Sequence, residues 1–322
     1  RIGIYGGLIR HRGIVSADSA VIDKTGAIHF RATNDITLDA GSTTSANGPQ
    51  GGQIKIQSES GTTLVSGAVT ATGNIPAPSA GEGEGGGVGK GGEIQILGNH
   101  VGLIDSAQID ASGENGGGTV LVGGDYQGKN PDIQNAQAAY VGKDTTIKAD
   151  ATDNGNGGKV IVWSDNATRA YGSISARGGA NGGNGGFVET SGKQYLDYRA
   201  KVNVGATAGL GGTLLLDPAT ITLAGGNNDG ASDGTGTFQG TSTPGTVNFT
   251  DAGPSTIYQS ELQGIAGGTN IILEATNGIS TSGPFTDEVV GVVTLAINSN
   301  LTLRTRNGNP SDLATGIDLT TS

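Results

Sequence analysis

The sequence predicts a right-handed parallel β-helix, an all-β solenoid with about three short strands per coil. Three observations carry that expectation. First, a string Gly-Gly-x-β-x-β, where β is an apolar strand former, recurs at GGQIKI (51–56), GGEIQI (91–96), GGTVLV (117–122), GGKVIV (157–162) and GGTLLL (211–216), with a degraded copy, GGFVET, at 185–190. Second, a β-x-Ala string recurs in phase with it, at VTATG (69–73), IDASG (109–113), IKADA (147–151), SISARGG (173–179) and VGATAG (204–209). Third, helix signals are nearly absent: outside YQSELQGI (258–265), no stretch combines a 3.6-residue period with caps.

Successive Gly-Gly starts differ by 40, 26, 40, 28 and 26 residues. The short steps give the repeat, and the two long ones hold insertions, NIPAPSAGEGEGGGVGK in the first and GDYQGKNPDIQNAQ in the second. Between the two strings lies a third short strand, as in TTLVSG (62–67), HVGLID (100–105) and TRAYGS (168–173). One coil of this size cannot bury its inward residues alone. Stacked coils place like on like, and each backbone pairs with the coil above and below. At ~24 residues per coil and an interstrand spacing of ~4.8 Å, the expectation is about 13 coils and a rod of roughly 60 Å.

Glycine supplies 61 of 322 residues, far above its usual share of about 7%. The expected reason is that corners need φ > 0, where glycine has no steric penalty. Residues 1–223 are expected to form a regular shaft that opens with RIGIYGG, GIVSADS, AIHFRA and ITLDAGS, and 224–322 a less regular continuation of it with a long loop at 224–245. Loops are expected to project at 74–90, 123–137 and 224–245, the places for a receptor or glycan site on one flank.

Composition removes several classes of function. The chain has no Cys, which excludes thiolate metal sites and Cys nucleophiles. It also lacks Met, even at position 1, so a piece of a longer or processed polypeptide is expected. Net charge is −11 with no basic patch, so nucleic acid is not an expected partner. No apolar run approaches the length of a membrane-spanning helix. Aromatics make up 4%, thin for a sugar-binding platform.

Reactive residues are few and each has a structural reading. GEGEGG (81–86) fits a nucleotide fingerprint literally but lacks the strand before and the helix after it, and the glycines around Lys90 do not complete a phosphate loop. His11, His29 and His100 lie far apart with no third ligand evident. Asp105, Asp110 and Glu114, or Asp229 and Asp233, are candidate carboxylates for glycan cleavage, which needs two of them roughly 5–10 Å apart. Each sits where Asp also serves turn geometry. NNDGASDG (227–234) alternates oxygen ligands suited to calcium. Trp163 reads as packed on the solenoid. Asn166, Asn248 and Asn300 begin N-glycosylation patterns, which arise easily in so Asn- and Thr-rich a chain. No catalytic, cofactor or metal residue is assigned, and the chain is not expected to be an enzyme.

GGGTVLVGGDYQGKNPDIQNAQAAYVG, GGKVIVWSDNATRAYGSISARGGANGGNGGFVETSGKQYLD and GGTLLLDPATITL resemble the shaft of filamentous-haemagglutinin-like exoproteins, bacterial adhesins exported by two-partner secretion. The resemblance covers residues 1–220 well and the remainder more loosely. It implies a right-handed β-helix, an outer-membrane transporter as partner, an extracellular or cell-surface location, and a role in adhesion, biofilm matrix or filament formation. Host or bacterial surface glycans and end-to-end self-association follow as expected partners. The Asn-Pro-Asn-Gly motif of the family's secretion domain is not seen in this sequence, and the resemblance transfers no catalytic residues.

Overall fold

The computed structural model describes residues 1–21, 24–74, 89–225, 255–282, 293 and 295–305. Three parallel sheets form the walls of a β-helix. The first wall has ten strands, from Ile2–Gly6 to Asn300–Thr305. The second has seven, from Ile9–His11 to Tyr195–Tyr198, and the third seven, from Ile14–Ser16 to Lys201–Asn203. Each regular coil contributes one strand to each wall in turn, so three strands per coil are observed. Among the described residues ten rungs stack in the first wall and span about 43 Å at the interstrand spacing. Residues 123–137 run outside the rungs.

The registers explain how short strands hold together. Ile2, Ile28, Ile54, Ile94, Val120, Val160, Val188, Leu214, Ile271 and Leu301 stack in one unbroken column of the first wall. The next inward column runs Ile4, Phe30, Ile56, Ile96, Val122, Val162, Thr190. Val69, Ile109, Ile147, Ile174 and Val202 do the same in the third wall. Each fully buried aliphatic side chain contributes about 1.5–3 kcal/mol, and the stack is continuous, so the core is a thin rod. The third-wall column also corrects one repeat. Val202-Asn203-Val204, not VGATAG, is in phase, and Val204 takes the place that alanine holds in the coils before it.

The glycine pairs are present for a different reason than expected. None of them has positive φ. An added Cβ at Gly92, Gly118, Gly158, Gly186 or Gly212 would lie 2.0, 2.1, 2.0, 2.1 or 2.1 Å from the carbonyl oxygen of the glycine one rung below. The second glycine of each pair is thus required by close backbone approach. Its N–H donates to the carbonyl of the β-x-Ala string just before it: Gly92 to Ala71 (2.7 Å), Gly118 to Ala111 (2.8 Å), Gly158 to Ala149 (2.7 Å) and Gly186 to Ala176 (2.7 Å). The two repeated strings therefore touch and pinch the corner between the third and first walls shut. Whatever chain lies between them leaves and returns at one level, which is why a 40-residue step keeps register. Positive φ occurs elsewhere, for instance at Gly41 and Asp105 in the corner between the second and third walls.

Several inward polar groups interrupt the apolar columns, Thr190 and Tyr198 among them. Thr190 Oγ1 is buried without a hydrogen-bond partner. Thr190→Val keeps the branched shape and removes that orphan, so it is expected to raise stability by about 1 kcal/mol in denaturant titration. The phenol of Tyr198 is fully buried and equally unpartnered. Burial, then the charge of Glu261, pushes its pKa up. A raised folded pKa means the contribution is complete below about pH 10, the ordinary phenol range, and is lost as pH climbs above it. Tyr198→Phe is expected to flatten the alkaline limb of the stability–pH curve and leave the neutral region equal or slightly higher.

Beyond Lys201–Asn203 the order changes. Strand Ser255–Tyr258 pairs with Thr220–Ala224, and Ser255 Oγ accepts from Leu196 N–H at 2.8 Å. It thus lies between two strands that both precede it in sequence. Helix Gln259–Gln263 follows, as the sequence indicates, and its Glu261 carboxylate accepts from Tyr258 N–H at 2.8 Å. The N–H of Ala266 donates to Val202 O at 3.3 Å, so this segment takes the place of a further strand in the third wall. No helix among the described residues is long and apolar enough to cross a membrane.

Candidate functional site

Residues 123–137 were expected to project. They fold back instead as a strap over the outer face of the first wall. Outward-facing Leu121, Ile161 and Trp163 are buried beneath it and pack with Ile133 and Phe187. Two glycines let the strap lie flat on the indole: a Cβ at Gly124 would meet Trp163 Cδ1 at 2.7 Å, and one at Gly128 would meet its Nε1 at 2.5 Å. Trp163 is therefore packing, as its sequence context indicates, and its N–H donates to Asp165 Oδ1 at 3.2 Å. Tyr126 meets Phe187 edge-on at 5.8 Å.

The strap begins with a cap. Asp125 Oδ1 accepts from Tyr126 N–H (2.7 Å) and Lys159 Nζ (3.0 Å), and Oδ2 from Asn130 Nδ2 (2.9 Å). Burial pushes the Asp125 carboxyl up, but these three donors outweigh it and leave the group below the ordinary carboxylate range.

Directly after this cap, carboxylates from three successive rungs of the first wall converge on Gln127. Its backbone N–H donates to Glu189 Oε2 at 3.1 Å. Its Nε2 donates to Asp217 Oδ2 at 2.9 Å and Glu274 Oε1 at 3.2 Å. Lys129 Nζ donates to Gln127 Oε1 at 2.6 Å, and Arg304 pairs with Glu274. Gln127 takes a left-handed φ of 54° to reach them. Among the described residues these three carboxylates are the nearest arrangement to the paired acids of glycan cleavage. They are 0%, 3% and 6% exposed, however, so no polymer reaches them. Their chemistry is cohesion: charges taken out of water need donors, and the donors come from the strap.

Asp105, Asp110 and Glu114 occupy three different places along one coil. Asp105 occupies a wall corner with φ 51°. Asp110 lies on a third-wall strand and accepts from Ser112 N–H at 2.8 Å. Glu114 follows in the next corner. Asp229, Asp233, the calcium-like stretch 227–234, GEGEGG, Asn248, most of 74–90 and nearly all of 224–245 lie outside the described residues. His11 packs against Phe30 at 5.6 Å, His29 is on the first wall and His100 on the second. Among the described residues no group of three His, Asp or Glu is arranged to hold a metal.

Sequence reasoning missed the strap, yet a signal was present. QIKI and EIQI alternate apolar and polar residues, whereas TVLV, KVIVW and TLLL do not. Loss of alternation marks a sheet buried on both faces, and Leu121, Ile161 and Leu215 are all buried. Neither the protein-family models nor the curated proteins contain a match to this chain.

Proposed function

We propose that this chain is a structural shaft of a secreted, adhesin-like bacterial surface protein, a rod whose product is shape. The supporting observation is the unbroken stacking of inward residues across ten rungs, combined with carboxylates that are sealed beneath a strap rather than open to substrate. A β-helix couples each coil only to its neighbours, so length is added without changing cross-section. That geometry suits a spacer that carries an adhesive region away from a cell, or a subunit of a matrix fibre. The resemblance noted above would imply a rod outside the cell after passage through a two-partner-secretion transporter, with end-to-end association and surface glycans as partners.

Negative-stain electron microscopy of the purified chain tests the reading. Rods of uniform width are the expected result, with cross-β diffraction near 4.8 Å along the axis of oriented material. Compact globules of equal axes end it. Turnover on a panel of neutral and acidic polysaccharides, scored by new reducing or unsaturated ends, would replace it with an enzymatic function.

A further inference from the structure

The third wall carries a ledge that the strap does not cover. Its floor is the outward face of three adjacent strands, in which Thr146, Ser173 and Lys201 form one row and Lys148, Ser175 and Asn203 the next. Its end wall is helix Gln259–Gln263 and the segment after it, standing where the following strand would be. A groove of about 580 Å³ lies against this step, and a second, of about 410 Å³, continues it past Arg177. The two share Asn203.

Charge sets the ledge apart. The whole chain carries −11, yet the residues lining the two grooves include Lys148, Lys201, Arg199 and Arg177 against a single acid, Glu261. Glu261 is engaged with the backbone of its own helix. Arg199 lies beside Asp197 at 3.4 Å, and Arg177 is held by the buried Asp150 at 2.9 Å with its side chain 54% exposed. Lys148 and Lys201 are exposed, and neither forms an ion pair among the described residues, although Asp110 stands one rung from Lys148 at the far edge of the same row. By register they are two rungs and two residues apart, a separation of about 12 Å across a floor of hydroxyls and an amide.

We propose that this ledge binds an acidic polysaccharide, through carboxylate or sulfate groups placed on Lys148 and Lys201 and sugar hydroxyls placed on Ser173, Ser175 and Asn203. A polymer suits the ledge because several weak contacts made at once on one chain multiply, and at moderate salt the screening of distant charges leaves the local cations of the ledge to act on it. Nucleic acid fits less well. No aromatic side chain lines the ledge to stack a base, and the cations are sparse against the phosphate spacing of a duplex. The shaft reading does not depend on this site, since a rod that binds nothing remains a rod under the microscope.

The test measures binding of the full chain to polygalacturonate, dextran sulfate, uncharged dextran and duplex DNA by calorimetry at low and moderate salt. Binding to one or both acidic polysaccharides is expected, weakening with salt, with none to dextran; which of the two binds identifies the anion. The double substitution Lys148→Ala/Lys201→Ala is expected to weaken it by about tenfold or more at an unchanged melting temperature, and Lys193→Ala, at an exposed corner between the first and second walls, to leave it intact. No binding to either acidic polymer, equal binding to dextran, tighter binding to DNA, or full affinity in the double variant overturns the proposal.

Discussion

Replacing Gly158 by alanine is expected to be strongly destabilising for so small a change as one methyl group. The added Cβ would lie 2.0 Å from the carbonyl oxygen of Gly118 and 2.7 Å from the carbonyl carbon of Gly117, both backbone atoms with nowhere to move. The same Gly118 oxygen accepts the Lys159 N–H at 2.9 Å, and Gly158 N–H itself donates to Ala149 O at 2.7 Å. The methyl therefore forces apart two rungs at the corner where they are pinned together. Overpacking of a closed site costs about 1–3 kcal/mol, and more where backbone must shift; about 3 kcal/mol or more is expected here, read as a drop in the denaturation midpoint. Gly7→Ala is the control. Nothing lies within 4 Å of its added Cβ, so a change within about 0.5 kcal/mol is expected. Equal effects at the two positions would mean that glycine serves these corners by chain flexibility and not by absence of a side chain.

Trp163→Ala is expected to cost about 3–5 kcal/mol, the usual range for emptying a buried aromatic site. Trp163 is 2% exposed and is the largest side chain between strap and wall. Its loss removes the surface on which Gly124 and Gly128 rest. Hydrogen exchange locates the damage. Amides of 123–137 are expected to lose protection while strands such as Ala27–Ala32, four rungs from Trp163, keep theirs, because coils in a solenoid couple mainly to neighbours. Protection lost evenly along the rod would show that the strap is part of one global cooperative unit; an unchanged melt would show that the strap adds nothing.

These two substitutions also divide what was legible in the sequence from what was not. The position of Gly158 could be read directly, since GGKVIV is one of a phased series. Its purpose was misread, because composition cannot distinguish a glycine needed for φ from one needed for space. The Ala71–Gly92 contact shows the same limit. Both strings were visible, but their contact across the corner was not, since it depends on where the chain returns. Trp163 was recognised as packing, while its cover was taken for a projecting loop. The doubly apolar strands TVLV and KVIVW implied a cover without saying which segment supplied it. The ledge was invisible for a related reason: Lys148 and Lys201 are 53 positions apart and become neighbours only through register.

The sequence by itself determined the coil: three short strands, an inward apolar residue at alternate positions, and a phase fixed by glycine and alanine strings. Each of those is a local pattern repeated, and nearest-neighbour stacking needs nothing more. Only the tertiary structure decided what lies on the outside of the walls. The hydrogen bond from Gln127 to Glu274 spans 147 residues, and the strand Ser255–Tyr258 enters between two that precede it. Such contacts are set by the three-dimensional path of the solenoid and by the cost of leaving outward apolar and charged groups without partners, and no local period encodes either.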